Sequence, residues 1–337
     1  SQSVRDIAEL VTSMLHQLLI IAAATAVGAA SAVYARSEFV AVYQTTAART
    51  DLFAFVVSLD DGAPTGRLVA KHDFGPTDVD EGNWTLGQAA CSPTFDVCMM
   101  FANTHQRLCT VAFDPRVARP APPRVACEEL DLLTAPAWDA VSGTFLTLGE
   151  LGTTAGTLQS VDSTSLKRTT LKTLPQSWLS FYELFTIGTD YLCYFNPQNV
   201  LTQYTTCRHR RDLSEAFSFS RVVGGNRLIS RCQWSSQLGA LVCDAYYARN
   251  RGDPKQHFVA LVKNVDQPRR EKSILAQLPL GFTGGVECVA NCTSVVATMG
   301  FWSQHANYTN VPLVPSAPAQ GTHFFAPPDL PGVALAV

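Results

Sequence analysis

Charge is scarce in this sequence. Asp, Glu, Lys and Arg make up only 16% of its 337 residues, against 47% hydrophobic residues. That balance excludes a disordered or fibrous chain and leaves ample material for a core. The net charge of −3 carries no basic excess of the kind a nucleic-acid partner requires, so none is expected. Catalytic signatures are missing too: there is no P-loop, no HExxH, no GxSxG and no phosphate-cradling glycine run that opens a helix. The histidines after the apolar N-terminal run (His72, His105, His209, His257, His305 and His323) are scattered, none four residues from another. Beyond residue 36 there is no sustained helical period and no second apolar run of membrane length.

What is present begins with the run Leu15–Ala35, LHQLLIIAAATAVGAASAVYA. It follows Met14 and ends in Ala30-Ser31-Ala32 and Val33-Tyr34-Ala35, both small-x-small triplets of the kind signal peptidase cuts after. Residues 14–35 are therefore expected to be an apolar helix serving as a secretory signal, with residues 1–13 an upstream extension. An uncleaved membrane anchor and a buried helix are the alternatives, since a span needs about 20 apolar residues. Membrane association is expected only if this segment stays uncleaved. Sequons at Asn83, Asn291 and Asn307 fit passage through the secretory route as glycosylation acceptors.

Ten cysteines all lie after the apolar run, an even number that reads as a disulfide framework in an exported chain. The hairpin pattern suggests local pairs: Cys91 with Cys98, Cys232 with Cys243, Cys193 with Cys207, and Cys109 with Cys127. Cys288 and Cys292 remain at a turn. A zinc site is not expected, because only that last pair is closely spaced and no histidines stand at ligand offsets.

From residue 36 the chain is a succession of short Val, Leu, Phe, Tyr and Thr runs, broken by Gly, Pro, Asn or Asp every 8–12 residues or so, the mark of antiparallel strands. One unit runs from Ala135 to Leu174. It contains a hairpin turning at Val141-Ser142-Gly143 and a second turning at Asp162-Ser163-Thr164-Ser165. Comparable first hairpins start at Cys91, Glu183, Cys232 and Cys288, and Trp138 and Trp234 occupy matching places. A four-stranded unit recurring at about 40–50 residues characterises the blade of a β-propeller. Residues 36–315 therefore resemble the broad class of β-propellers, through hairpin rhythm alone; neither a WD signature nor a kelch double glycine recurs.

The resemblance implies an all-β ring of four-stranded blades, six favoured, with five and seven open. The early strand at Glu38–Tyr43 is expected to complete the last blade, and the Pro/Ala-rich residues 316–337 to form a loose tail. A pair of β-sandwich domains is the rival architecture, but it calls for a central linker that the sequence does not show.

Few linear motifs suggest chemistry. The loop Asp73–Glu81 offers Asp78, Asp80 and Glu81 as candidate ligands for Ca²⁺, the one cofactor considered; its spacing is not that of an EF-hand, and an ordinary loop is the alternative. Arg251-Gly252-Asp253 is an adhesion-type tripeptide in a polar loop, with chance occurrence as the alternative. Arg208-His209-Arg210-Arg211 is read as a solvated hairpin tip, an anion or glycosaminoglycan contact being the rival reading. Trp138 and Trp234 are expected to plug the core rather than stack on sugars. The functional expectation is a secreted or cell-surface, disulfide-stabilised module that binds an extracellular protein or glycan. The alternative is a secreted hydrolase- or lactonase-like propeller enzyme with a polar or cation-containing central funnel.

Overall fold

A computed structural model describes residues 38–45, 49–58, 65–76, 89–92, 94–104, 107–129, 136–151, 155–174, 184–196, 204–224, 227–236, 238–247, 257–277, 286–289, 294–298, 306–312, 322–325 and 333–336. The apolar run of residues 14–35 lies outside them. Among the described residues there is no helix long and apolar enough to cross a membrane. The fold is all-β and propeller-like.

The strands follow one another as short antiparallel meanders. β1 (Glu38–Thr45), β2 (Arg49–Ser58) and β3 (Thr65–Pro76) open the first sheet. The second holds β4 (Ala90–Cys91), β5 (Cys98–Thr104), β6 (Arg107–Phe113) and β7 (Arg124–Glu129). The third holds β8 (Ala137–Asp139), β9 (Thr144–Leu151), β10 (Ala155–Val161) and β11 (Arg168–Leu174). In the fourth are β12 (Leu184–Ile187), β13 (Tyr191–Asn196), β14 (Tyr204–His209) and β15 (Glu215–Ser220). The fifth adds a two-residue strand, β16 (Val222–Val223), to β17 (Arg227–Ser235), β18 (Ala240–Tyr247), β19 (His257–Lys263) and β20 (Glu271–Gln277). The sixth contains β21 (Val286–Val289), β22 (Ser294–Thr298), β23 (Ala306–Pro312) and β24 (Thr322–Phe325). The final strand, β25 (Val333–Ala336), returns to pair with β1.

That last pairing corrects two expectations. Residues 316–337 are not simply a tail: Thr322–Phe325 completes the sixth sheet, and Val333–Ala336 pairs in antiparallel register with Thr45–Val42. Glu38–Thr45 in turn sits second in the first sheet, in the order β25-β1-β2-β3, and does not finish the last sheet. The apolar residues Val333–Ala336 supply this strand.

Strand side chains alternate between the two faces, and in the second, third and fourth sheets both faces are covered, which is why their central strands read as nearly continuous apolar runs. On β5, Cys98, Met100 and Ala102 join a cluster with Leu52, Ala54 and Val56 of the first sheet. The intervening Met99 and Phe101 join Phe145 and Val161 of the third. On β9, Phe145 faces the second sheet while Leu146 and Leu148 pack with Leu184, Leu192 and Tyr194 of the fourth. On β13, Cys193 faces the fifth sheet, among Ile229, Leu241 and Val262. Each fully buried Val, Leu, Ile, Phe or Met among them stabilises the fold by about 1.5–3 kcal/mol.

Contacts continue around the array. β21 of the sixth sheet lies against β17 and β18 on one side and against β1 on the other, so the last sheet meets the first. Strands at or next to one edge of successive sheets also lie side by side (β4 with β8, β8 with β12, β12 with β17, β17 with β21), which places that edge towards a common axis.

Four disulfides lie within these sheets, each joining residues directly opposite in register. They are Cys91–Cys98 across β4 and β5, Cys109–Cys127 across β6 and β7, Cys193–Cys207 across β13 and β14, and Cys232–Cys243 across β17 and β18. Their Cα atoms are 4.0–4.1 Å apart. Cys288 and Cys292, left over at a turn in the sequence, lie outside the residues whose side chains are described.

The turns carry their own acid sensitivity. Ser92 Oγ donates to the Asp96 carboxylate and so lowers its pKa. Hydrogen bonds from the Ser165 backbone and hydroxyl lower that of Asp162, and the Arg116 side chain does the same to Asp114. A carboxylate whose pKa is depressed by folding contributes stability that is fully present above its unfolded value, about 3.9, and is lost as pH falls through the folded value. Thermal unfolding midpoints are therefore expected to hold steady above about pH 5 and fall steeply below about pH 4. The Asp96→Asn and Asp162→Asn variants should start lower and fall less. Parallel pH profiles for variants and wild type would contradict this.

Candidate functional site

Antiparallel meandering sorts the connections into two rims. The first-to-second and third-to-fourth strand turns of a sheet lie at one rim; the remaining connections lie at the other. The tight turns the structure describes most fully belong to the first rim, and their conformation repeats. First-hairpin turns place Phe95, Gly143, Gly188 and Gly239 at positive φ (54°, 64°, 56° and 56°), and second-hairpin turns do the same with Leu166, Leu213 and Asn264 (58°, 60° and 51°). Gly143 shows why the expected turn chemistry works: it closes the β8–β9 turn by donating its N–H to Asp139 O at 2.9 Å, in a left-handed conformation that glycine adopts without steric penalty.

Asp139 is the centre of this rim. Its side chain is 2% exposed. It accepts hydrogen bonds from the N–H groups of Val141 (3.2 Å) and Ser142 (3.0 Å) and from the Ser142 hydroxyl. It also receives the Arg210 guanidinium from the β14–β15 turn of the next sheet. Nearby, Thr186 Oγ1 donates to Trp138 O at 3.4 Å, tying β12 to β8.

Other cations fasten neighbouring sheets in the same way. Arg67 of β3 donates to Pro115 O (3.0 Å) and Val117 O in the long β6–β7 turn. That turn itself reaches back: Ala121 N–H donates to Val69 O at 3.0 Å. Arg168 of β11 pairs with Glu128 of β7, and Lys172 Nζ donates to Asp212 O at 3.1 Å. Lys272 Nζ donates to Ser220 O (2.6 Å) and Val222 O (3.1 Å), while Arg270 lies over the Phe217 and Phe219 rings of β15. Burial lowers the Lys272 pKa, and the Arg270 charge adds to the effect.

The basic turn expected to be a solvated tip is only partly so. Arg208 donates to Tyr194 OH (3.1 Å) and Leu213 O (2.9 Å), Arg210 is held by Asp139, and Arg211 lies in water, 80% exposed, beside the Asp212 carboxylate at 3.3 Å. His209 stacks at a tilt on Tyr191, ring centroids 5.4 Å apart. Trp138 meets Phe145 edge-on at 5.0 Å and packs against the cluster between the second and third sheets. Trp234 packs against the cluster between the fourth and fifth. Both tryptophans serve the core.

Asp78, Asp80, Glu81, Asn83, Arg251, Gly252, Asp253 and Asn291 lie outside the described residues. Asn307 falls on β23, opposite Phe324 of β24. Among the described residues, no group of three His, Cys, Asp or Glu side chains converges as a metal site would require. Sequence reading missed the Asp139–Arg210 contact: the partners stand 71 residues apart, with no motif linking them.

No protein-family model matches the sequence, and no curated protein matches it. Solved structures do resemble the fold. A chain of a nidogen/laminin complex is similar at 9% identity and TM-score 0.51, over 89% of this chain and 99% of that one. A putative 6-phosphogluconolactonase from Bacteroides fragilis is similar at 10% identity and TM-score 0.42, over 81% and 90%. The Dos1 propeller is similar at 10% identity and TM-score 0.39, over 74% and 61%. At these identities the likeness concerns the fold, which is that of a β-propeller.

Proposed function

We propose that the six sheets are the six blades of one closed propeller, exported through the secretory route and acting as a rigid platform that binds an extracellular protein or glycan. The observation that carries this reading is the set of four in-register disulfides, two in the second sheet and one each in the fourth and fifth. Such bridges persist in oxidising compartments and are reduced in the cytosol. The rim described in detail uses many of its charges to fasten sheet to sheet, as a rigid binding scaffold requires. The nidogen/laminin likeness lends general support, since that propeller-like chain belongs to a protein complex.

The test is expression of the full chain in secreting cells, followed by intact mass measurement with and without reduction. Recovery from the medium with the described cysteines blocked to alkylation is expected. Saturable binding to members of an extracellular protein and glycan panel should persist in a chelator. Recovery of free thiols would overturn the compartment. A stoichiometric bound cation together with turnover of lactone or ester substrates would overturn the binding role in favour of the enzyme.

A further inference from the structure

The end of β14 and the turn after it concentrate three guanidinium groups in four residues, Arg208-His209-Arg210-Arg211, immediately before Asp212. We propose that it is a masked cleavage site. The Arg211–Asp212 peptide bond is the substrate of a basic-residue-specific serine endoprotease, and Asp139 of the neighbouring sheet is part of the mask. An endoprotease of this class reads arginines at the first, second and fourth positions before the scissile bond with acidic pockets. Arg211, Arg210 and Arg208 occupy those positions. Hydrolysis consumes one water: the C–N bond between Arg211 and Asp212 breaks, the hydroxyl joins the Arg211 carbonyl carbon, and a proton goes to the new Asp212 amine.

Recognition requires an extended segment with its side chains free, and the folded turn offers neither. His209 N–H donates to Ser214 O (3.0 Å), Leu213 N–H to His209 O (2.8 Å) and Arg210 N–H to Asp190 O (2.8 Å). Leu213 sits at φ 60°. The Arg208 guanidinium is held by Tyr194 and Leu213, and that of Arg210 by Asp139, while Arg211 is exposed and meets only the neighbouring Asp212 carboxylate at 3.3 Å. A chain in which the third and fourth sheets have docked is closed to the protease; one in which they have not presents all three arginines. No described disulfide crosses the bond, because Cys193–Cys207 precedes it and Cys232–Cys243 follows it. The competing pattern Arg116-Val117-Ala118-Arg119 precedes Pro120, whose imide nitrogen carries no proton and whose ring fixes φ. That bond should stay intact.

The experiment exposes the purified full chain to an endoprotease of Arg-x-Arg-Arg specificity and maps the first cut by mass spectrometry. Asp139→Asn removes the charge that holds Arg210 yet keeps an acceptor oxygen for the turn. Native wild type should resist. D139N should be cut between Arg211 and Asp212 about ten-fold faster or more, because cleavage follows the open population. The double variant D139N/R211A should resist. Wild type in sub-denaturing urea should give the same first cut, a readout that needs no variant. Equal rates for native wild type and D139N, a first cut elsewhere in urea-treated wild type, or a cut that survives R211A would overturn the proposal.

Discussion

Asp139→Ala is expected to lower the unfolding free energy by about 3–5 kcal/mol, the usual penalty for removing one member of a buried ion pair. Urea denaturation followed by tryptophan fluorescence would measure it. Two losses combine. The Arg210 guanidinium, 16% exposed, is left between sheets without its carboxylate, and its Nε already donates to nothing among the described residues. The β8–β9 turn also loses the acceptor for Val141 N–H, Ser142 N–H and the Ser142 hydroxyl. Arg210→Ala should cost less, about 1–2 kcal/mol, because the Asp139 carboxylate keeps those turn donors. In the double variant the effects should fall short of additive by at least about 0.5 kcal/mol. Equal single effects that simply add would show that the two sheets are not coupled through this contact.

The local order of the chain was readable because hairpins are written in neighbouring residues. Val141-Ser142-Gly143 and Asp162–Ser165 turn where their polar and flexible residues imply. The four described cystines follow from register, since partners only 7–18 residues apart meet across a hairpin. Leu166 and Leu213 show where residue type stops informing. Nothing about leucine suggests positive φ; the turn imposes it, through Leu166 N–H donating to Asp162 O at 2.9 Å and Leu213 N–H to His209 O at 2.8 Å.

Long-range facts were hidden for a different reason. The pairing of Val333–Ala336 with β1 joins strands far apart in sequence, and the Pro/Ala-rich composition around it hides two short strands. The hold of Asp139 on Arg210 likewise depends on how two units dock, which no single hairpin records. Readings that combined both scales came out half right, as at the basic turn, where one arginine is solvated and two are structural.

Replacing Cys193 and Cys207 together by alanine is expected to destabilise the protein by about 3–5 kcal/mol, and the same change at Cys109 and Cys127 by about 2–3 kcal/mol. Loop entropy alone predicts the reverse order. The sequence separations are 14 and 18, a difference worth only about 0.2 kcal/mol in favour of the longer loop. Burial decides the matter. Cys193 and Cys207 are both fully buried in the cluster with Phe185, Ile187 and Phe219, so their loss leaves a void in a close-packed interior. Cys127 lies exposed on β7, and water can fill what its sulfur vacates. The same contrast orders their reduction: graded reductant with differential alkylation should open Cys109–Cys127 before Cys193–Cys207, because exchange requires the attacking thiolate to reach a sulfur. Simultaneous opening, or the reverse order, would mean that access to these bridges is governed by unfolding of whole sheets and not by the exposure of one strand.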